Sequence, residues 1–396
     1  MLLPVIDNMK KMFLALTAFL CLTPLMGQQV MEKITYYGHL YLESEVNGKK
    51  ASFAFDTGSP YTCIDSTYIA DSNLQYKNLF RAQVGGSGNN TETVRVIVNE
   101  LTYTAGGKMF TSKISPIIQL KPVLGDQADG ILGIDNMGGK VIAIDYAGEQ
   151  MGFCDSLIAT DGYTLVPIRY ENNRIYVPLK VVVGNGKTIE GEGLIDLGSG
   201  ESVLLTSAVA KQNGLDDLTP QMRYSFAVGG LGGASYGSDF RAQSASVGPF
   251  TMSDITMGFS SNTGGALANM EYIAIVGNGF WERFDMIIDL VDKQLFLRPN
   301  AKFDEAFKSP VRGFSFTDRS RTLGCWVVNC LYEGSNAEKA GLRQEDHITA
   351  VNGRDVKGIT FEERRTLFDG ISAVTLTVQR GAVSLEIAFS FDEPKI

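Results

Sequence analysis

Ala54-Phe55-Asp56-Thr57-Gly58-Ser59 and Leu194-Ile195-Asp196-Leu197-Gly198-Ser199 lie 140 residues apart, and each ends an apolar run with an aspartate on a glycine turn. One Asp-Thr-Gly says little alone, because turns favour Asp and Gly for reasons of backbone geometry. The surroundings, however, repeat as well. With Asp56 placed on Asp196, Val84-Gly85-Gly86 falls beside Val228-Gly229-Gly230, Ile131-Leu132-Gly133 beside Ile275-Val276-Gly277, and Ile144-Asp145 beside Ile288-Asp289. Val84 to Gly133 and Val228 to Gly277 are both 49 positions, and the next interval, to Asp145 or Asp289, is 12 in both copies. Only the first interval differs, 28 positions against 32. Blocks held in register over this distance form an internal repeat of domain size. The chain therefore has two equivalent halves with one aspartate turn each.

The 396 residues leave room for two or three domains, and a 44% hydrophobic content can fill their cores. A net charge of −9, with no basic cluster interleaved with aromatics, argues against nucleic-acid binding. Lys10 and Lys11, the apolar run Met12 to Leu20 continuing to Met26, and Gly27-Gln28-Gln29 read as a secretory signal over residues 1–27, with Met9 a second candidate start. The run is short for a membrane span, and the bulky Phe19-Leu20 before Cys21 argues against lipidation. No later segment suits a membrane span, so an exported protein, periplasmic or secreted, is expected. Four cysteines then remain: Cys63, Cys154, Cys325 and Cys330. On one strand, Cys325 and Cys330 are five steps of about 3.3 Å apart and face opposite sides, out of disulfide reach. A Cys63–Cys154 bridge stays open, and buried free thiols are the favoured reading.

Short apolar or alternating runs such as Ala51–Phe55, Val94–Val98 and Ile175–Val183 are separated by the turn signals Asn47-Gly48, Gly106-Gly107 and Asn185-Gly186. This pattern predicts a mainly β fold, with a closed barrel or sandwich in each repeat. Brief helices are expected there only around Thr206–Gln212 and Gly279–Phe284. Lys302–Pro310 reads as a linker. A compact third domain follows, with strands Cys325–Leu331, His347–Val351, Ala373–Gln379 and Val383–Phe389. Its helices are Ser335–Ala340 and Phe361–Phe368, the second opened by the capping box Thr360-Phe361-Glu362-Glu363.

Two carboxylates brought to one seam cannot both ionise easily, so the pair holds one proton over a broad pH range. One can take a proton from a water between them while the other donates to a substrate carbonyl, which suits amide hydrolysis without a covalent intermediate. Gly58 and Gly198 permit tight turns, and Ser59 and Ser199 are placed to hydrogen-bond the carboxylates. Gly233-Ala-Ser235-Tyr-Gly237 matches the Gly-x-Ser-x-Gly nucleophile pattern but lies in a glycine-rich hairpin. Such a nucleophile needs a histidine base, and of the two histidines His347 belongs to the third domain while His39 shows no sign of proximity. The scarcity of histidine and the lack of cysteine pairs at metal spacing also argue against zinc. No metal or cofactor is expected.

Asp56-Thr57-Gly58-Ser59, the hydrophobic-hydrophobic-Gly motifs and the duplication resemble the pepsin-like and retropepsin-like aspartic proteases. Gly277-Asn-Gly-Phe-Trp-Glu-Arg-Phe284-Asp285 followed by Met286–Asp289 looks like the end of a pepsin second lobe. The resemblance implies two pseudo-symmetric β-barrel lobes, residues 30–160 and 161–303. It implies catalytic Asp56 and Asp196, supported by Thr57, Gly58, Ser59, Gly198 and Ser199, acting on a peptide or unfolded protein. It also implies a cleft covered by a hairpin flap, for which Gly85–Thr93 and Gly229–Tyr236 are the candidates, through Gly85, Gly86, Gly229, Gly230 and Tyr236. Members of the family usually carry Thr or Ser after each aspartate, whose hydroxyls brace both turns across the seam; Leu197 departs from this. The preferred consequence is an active but looser pair, and the alternative is a peptide-binding protein that no longer cleaves.

Residues 310–393 resemble a small α+β PDZ domain of the bacterial periplasmic-protease kind, through Gly334-Ser-Asn-Ala-Glu-Lys-Ala-Gly341-Leu342 and Asp346-His-Ile-Thr-Ala-Val-Asn352-Gly353. That resemblance implies that amides near Leu323, Gly324 and Cys325 hold a peptide C-terminal carboxylate while the adjoining strand adds the peptide to its sheet. Thr322 and Cys325 depart from the usual Gly-Leu-Gly-Phe. A domain that merely packs on the second lobe is the alternative. Nothing in the sequence indicates an oligomeric state.

Overall fold

Residues matched by the repeat face each other in space. Strands Val141–Asp145 and Phe284–Asp289 pair antiparallel, with Ala143 opposite Ile287 at the centre of the ladder. These two residues are 144 positions apart, as are Gly133 and Gly277, so a pseudo-two-fold axis crosses the ladder at this pair. The computed structural model describes residues 31–184 and 186–396; the expected signal segment with Cys21, and Asn185 of one expected turn, lie outside the described residues.

Around the axis, six strands lie side by side in the order Thr164–Pro167, Gln294–Pro299, Phe284–Asp289, Val141–Asp145, Gln150–Cys154 and Glu32–Tyr36. Both halves contribute to this sheet, and neither completes it alone. Above it each half places one parallel pair: Lys49–Phe55 beside Gly130–Leu132, and Thr188–Ile195 beside Ala274–Val276. Phe53, Phe55, Leu132, Ile195 and Val276 are almost wholly buried there. Strand ends covered on both faces read as apolar runs, which is why Phe53-Ala54-Phe55 and Leu194-Ile195 precede the two aspartates. One hydrophobic core runs through both lobes, and a second fills the third domain around Phe314, Trp326, Ile348 and Leu376. The architecture is thus mainly β, two related lobes followed by a small α+β domain.

Two short helices in the first lobe were not expected. Ser66–Ser72 starts on the Asp65 side chain, which accepts from the amides of Thr67 and Tyr68, and stops at Asn73 with φ 50°. Lys121–Leu124 has a proline in its first turn. Both are too short to show a helical period, so neither left a pattern to read. The helix expected at Gly279–Phe284 covers Asn278–Trp281 instead, and Phe284 opens the central strand.

The third domain gains a strand, Phe314–Arg319, antiparallel to Cys325–Tyr332. Cys325–Tyr332 also pairs with Gln221–Phe226, so the sheet of the second lobe continues into the third domain. Cys63, Cys154, Cys325 and Cys330 are all free thiols, and burial pushes that of Cys63 up to about 12. Among the described residues no helix is long and apolar enough to cross a membrane.

Candidate active site

Each parallel pair ends in an aspartate held by the neighbouring strand. The Asp56 amide donates to the Leu132 carbonyl at 3.1 Å, and the Asp196 amide donates to that of Val276 at 2.9 Å. Within the first turn, the amides of Gly58 and Ser59 donate to Asp56 Oδ1 at 2.8 and 2.9 Å; in the second, the Gly198 amide donates to Asp196 Oδ1 at 3.0 Å. The turns interleave. A Cβ added to Gly58 would lie 2.6 Å from the Asp196 carboxyl carbon, and one on Gly198 would lie 2.2 Å from that of Asp56. Glycine is needed at both positions because the opposing carboxyl occupies the space a side chain would take.

Burial raises the carboxyl of Asp196 well above its ordinary value, and the nearby charge of Asp56 raises it further. Asp56 is also raised by burial, but the Ser59 and Gly58 amides and a hydrogen bond from Asp196 pull it back. Both carboxyls are thus raised, chiefly by burial, and two acids this close titrate as a coupled pair that favours one proton between them.

The expected support from the serine hydroxyls is not what holds the pair. Ser59 Oγ donates to the Tyr61 carbonyl at 2.7 Å, so Ser59 serves Asp56 through its amide. Ser199 Oγ accepts from the Glu201 amide at 3.3 Å, and the Ser199 amide donates to the Asp196 carbonyl at 3.2 Å. A tight turn aims its backbone N–H groups at the carboxylate, and the side chains face away. Thr57 is fully buried and crosses the seam: Oγ1 donates to the Ile195 carbonyl at 2.6 Å and accepts from the Leu197 amide at 3.0 Å. Leu197 is equally buried and belongs to the apolar core.

Two residues at this seam escaped the sequence reading. His39, read as remote, has its imidazole hydrogen-bonded to the Gly198 backbone, and burial lowers its pKa. Asn278 Nδ2 donates to the Leu197 carbonyl at 2.7 Å and to the Gly38 carbonyl at 2.9 Å. Both contacts join segments far apart in sequence through backbone carbonyls, which every residue has, so no pattern announces them.

Both candidate flaps are hairpins, and their tips meet across the lobe boundary. The first joins Leu79–Gly85 to Thr91–Ala105, the second Gln221–Phe226 to Ser235–Val247. The Gly88 amide donates to the Leu231 carbonyl at 3.0 Å, the Asn90 amide to that of Gly232 at 3.1 Å, and Ser87 Oγ to that of Gly229 at 2.7 Å. Gly85 and Gly86 lead into the first tip; Gly86 has Leu231 against it so closely that an added Cβ would lie 2.8 Å from the Leu231 Cβ. Gly230, Gly232 and Gly233 in the second tip have φ of 143°, 97° and 87°, where side chains are strained. Buried Asn262 fastens the two together, donating to the Ser87 carbonyl at 2.7 Å and accepting from the Tyr236 amide at 2.9 Å. Tyr236 itself is 48% exposed.

The loop at Leu323, Gly324 and Cys325 is a correction. It is the hairpin turn between Phe314–Arg319 and Cys325–Tyr332, closed by the Leu323 amide on the Arg319 carbonyl. A carboxylate is held beside it, but it is the chain's own Asp126, from the first lobe. Asp126 accepts from the Thr322 amide at 2.8 Å, Thr322 Oγ1 at 2.7 Å and Arg319 Nε at 3.1 Å. The strand Cys325–Tyr332 has no open edge for a peptide either. Phe314–Arg319 lines one side, and His347–Val351 and Gln221–Phe226 share the other. The domain therefore docks on both lobes, not on the second alone. Its Phe361 packs edge-on against Tyr37 and Tyr41 of the first lobe at 5.6 and 6.0 Å.

Residues 42–136, which include Asp56, match the family model for aspartyl proteases, and residues 327–380 match that for the PDZ domain. No curated protein matches the chain. Among solved structures, the aspartic proteinase from Irpex lacteus aligns over 70% of this chain and 99% of its own, with 14% identity and a TM-score of 0.45. The chain carries an aspartyl protease-like domain and a C-terminal PDZ domain.

Proposed function

We propose that this chain, built from an aspartyl protease-like domain and a PDZ domain, is an exported aspartic endopeptidase acting on peptides or unfolded protein without a cofactor. The observation that carries the reading is the carboxyl pair, set on interleaved glycine turns with both carboxyls raised by burial. Asp56, ionised, takes a proton from a water between the carboxyls; the resulting hydroxide adds to the peptide carbonyl carbon, and Asp196 gives its proton to the carbonyl oxygen. The tetrahedral diol then collapses. The proton gained by Asp56 passes to the leaving nitrogen, and Asp196 recovers one from a diol hydroxyl, so the pair ends as it began. A chain reaches the carboxyls after the two joined hairpin tips part. Export rests on the order of residues 10–29.

The docked third domain reads as a clamp on the first lobe and on the second hairpin. Capture of a peptide terminus at Leu323–Cys325 requires the Asp126 carboxylate to leave first. A second reading, a peptide-binding protein without cleavage, draws on Leu197, which leaves the cross-seam hydroxyl brace one-sided. Digestion of a mixed peptide library from acid to neutral pH by the wild type, Asp56→Asn and Asp196→Asn separates the two. Products that vanish in both variants support the endopeptidase; capture of peptides with no products at any pH supports the binder.

A further inference from the structure

Besides Thr57, the seam is tied by a side chain that lies outside both aspartate motifs, that of Asn278. The repeat places Ile134 of the first half opposite Asn278 of the second, just as it places Thr57 opposite Leu197. The half with the hydroxyl has an apolar residue after its hydrophobic-hydrophobic-Gly motif; the half without it has an amide. Asn278 is fully buried, and its polar atoms are engaged on both sides of the seam. Nδ2 donates to the carbonyls of Leu197 in the second turn and Gly38 in the first lobe. Oδ1 accepts from the hydroxyl of Tyr146, also in the first lobe, at 2.7 Å. Its own amide donates to the Ser199 carbonyl at 2.8 Å. The side-chain amide has only two N–H donors and both are used, while the phenolic proton fixes which end of the amide is oxygen.

We propose that Asn278, oriented by Tyr146, is a positioning residue that supplies the second cross-lobe tie in place of the hydroxyl absent at Leu197. The inference rests on the hydrolase reading above. Thr57 holds the second turn through the Ile195 carbonyl and the Leu197 amide; Asn278 holds the same turn through the Leu197 and Ser199 carbonyls. Together they hold the turn on either side of Leu197, Thr57 at its N–H and Asn278 at its carbonyl. The tie touches neither carboxyl, so it acts by keeping Asp196 at its distance from Asp56. Removing the amide strands two buried carbonyls and a phenol, and the seam must shift or admit water to satisfy them.

The test compares wild type, Asn278→Ala, Tyr146→Phe and the double variant Asn278→Ala/Leu197→Thr, by peptide hydrolysis and by 13C-detected titration of the two carboxyls. Asn278→Ala is expected to lower kcat by about tenfold to a hundredfold, the scale of a misplaced catalytic group, with KM within about threefold. Its carboxyl titration should move as well. Tyr146→Phe should shift both in the same direction by less, and it keeps the test open if Asn278→Ala does not fold. Adding Leu197→Thr should recover part of the lost kcat, because it adds a hydroxyl tie at the same seam; a packing residue would show no such rescue. Folded Asn278→Ala or Tyr146→Phe protein with unchanged kcat and titration would overturn the proposal, and so would a double variant no better than Asn278→Ala. If the wild type cleaves nothing, the hydrolase reading falls, while the titration still decides whether Asn278 sets the pair.

Discussion

The two aspartate turns share a carboxyl, a glycine and a strand-held amide, yet they are secured by different chemistry. The first half contributes a threonine that reaches across the seam, and the second a leucine that fills the core plus an asparagine on the neighbouring segment. What must be common to both halves is therefore small: a carboxyl, and beside it an empty space for the opposing carboxyl. The rest of each half has only to hold these still. The hairpins show the same inequality. The outer strand of the first, Leu79–Gly85, ends its sheet, whereas that of the second, Gln221–Phe226, is bonded to the third domain.

The comparison breaks most directly at its shared part. Asp56→Asn or Asp196→Asn should each lower hydrolysis by about a thousandfold or more, the upper range for loss of general acid–base chemistry, measured as kcat/KM on a cleaved library peptide. Retention of activity by one of them would mean that the halves are unequal in chemistry and not only in bracing.

The braces come next. Thr57→Val leaves the Ile195 carbonyl and Leu197 amide without their partner and should cost about 2–4 kcal/mol in denaturant unfolding, with a fall in activity. Leu197→Thr alone should leave activity within about threefold of wild type or raise it, since Thr57 and Asn278 already tie the seam. A large loss on Leu197→Thr would show that the leucine is needed for more than filling space.

The pair also sets a pH dependence of stability. Asp196 is raised in the folded state, so over the window between its ordinary value and the raised one the native protein holds a proton that the unfolded chain has released. Stability is then fully present below the ordinary carboxylate range and is lost as pH rises through the folded value. Melting curves should show Tm falling from acid toward neutral pH, and Asp196→Asn should flatten this fall. A residual slope is expected in that variant, because Asp56, buried Asp239 and its neighbour Glu201 are raised in the same direction by desolvation. A slope unchanged in Asp196→Asn would remove the shared proton from the account.

The smallest effect concerns the hairpins. Amide exchange should be slower at Ala227 and Val228, which donate to Asn329 of the third domain, than at the outer strand of the first hairpin. Equal protection would mean that the strand pairing does not restrain the second hairpin.

The parts legible in the sequence were those with a periodic or repeated signal. Buried strand ends make apolar runs, a turn needs glycine, and a duplication repeats both, so the lobes and the aspartate turns could be read from spacing. Contacts between remote carbonyls and single polar side chains carry no such signal. Asn278 looked like part of a motif and His39 like a stray residue, and only the fold puts both beside Gly198 and Leu197. The loop at Leu323–Cys325 failed for a related reason. Its place in a PDZ-like sequence implied a peptide carboxylate, but which carboxylate lies beside it depended on where Asp126 lies after folding.

The six-stranded sheet beneath the site has one more consequence. Because strands of both halves are encoded in a single chain, the two halves meet at a fixed effective concentration and need no dimerisation. In an assembly of two identical copies every substitution appears twice, at both ends of the symmetry axis. Here a residue can change on one side alone. A leucine can replace one hydroxyl while the other remains, an asparagine can appear opposite an isoleucine, and an added domain can extend the sheet of one hairpin while the outer strand of its twin ends its own. Joining the halves is what permits them to become different.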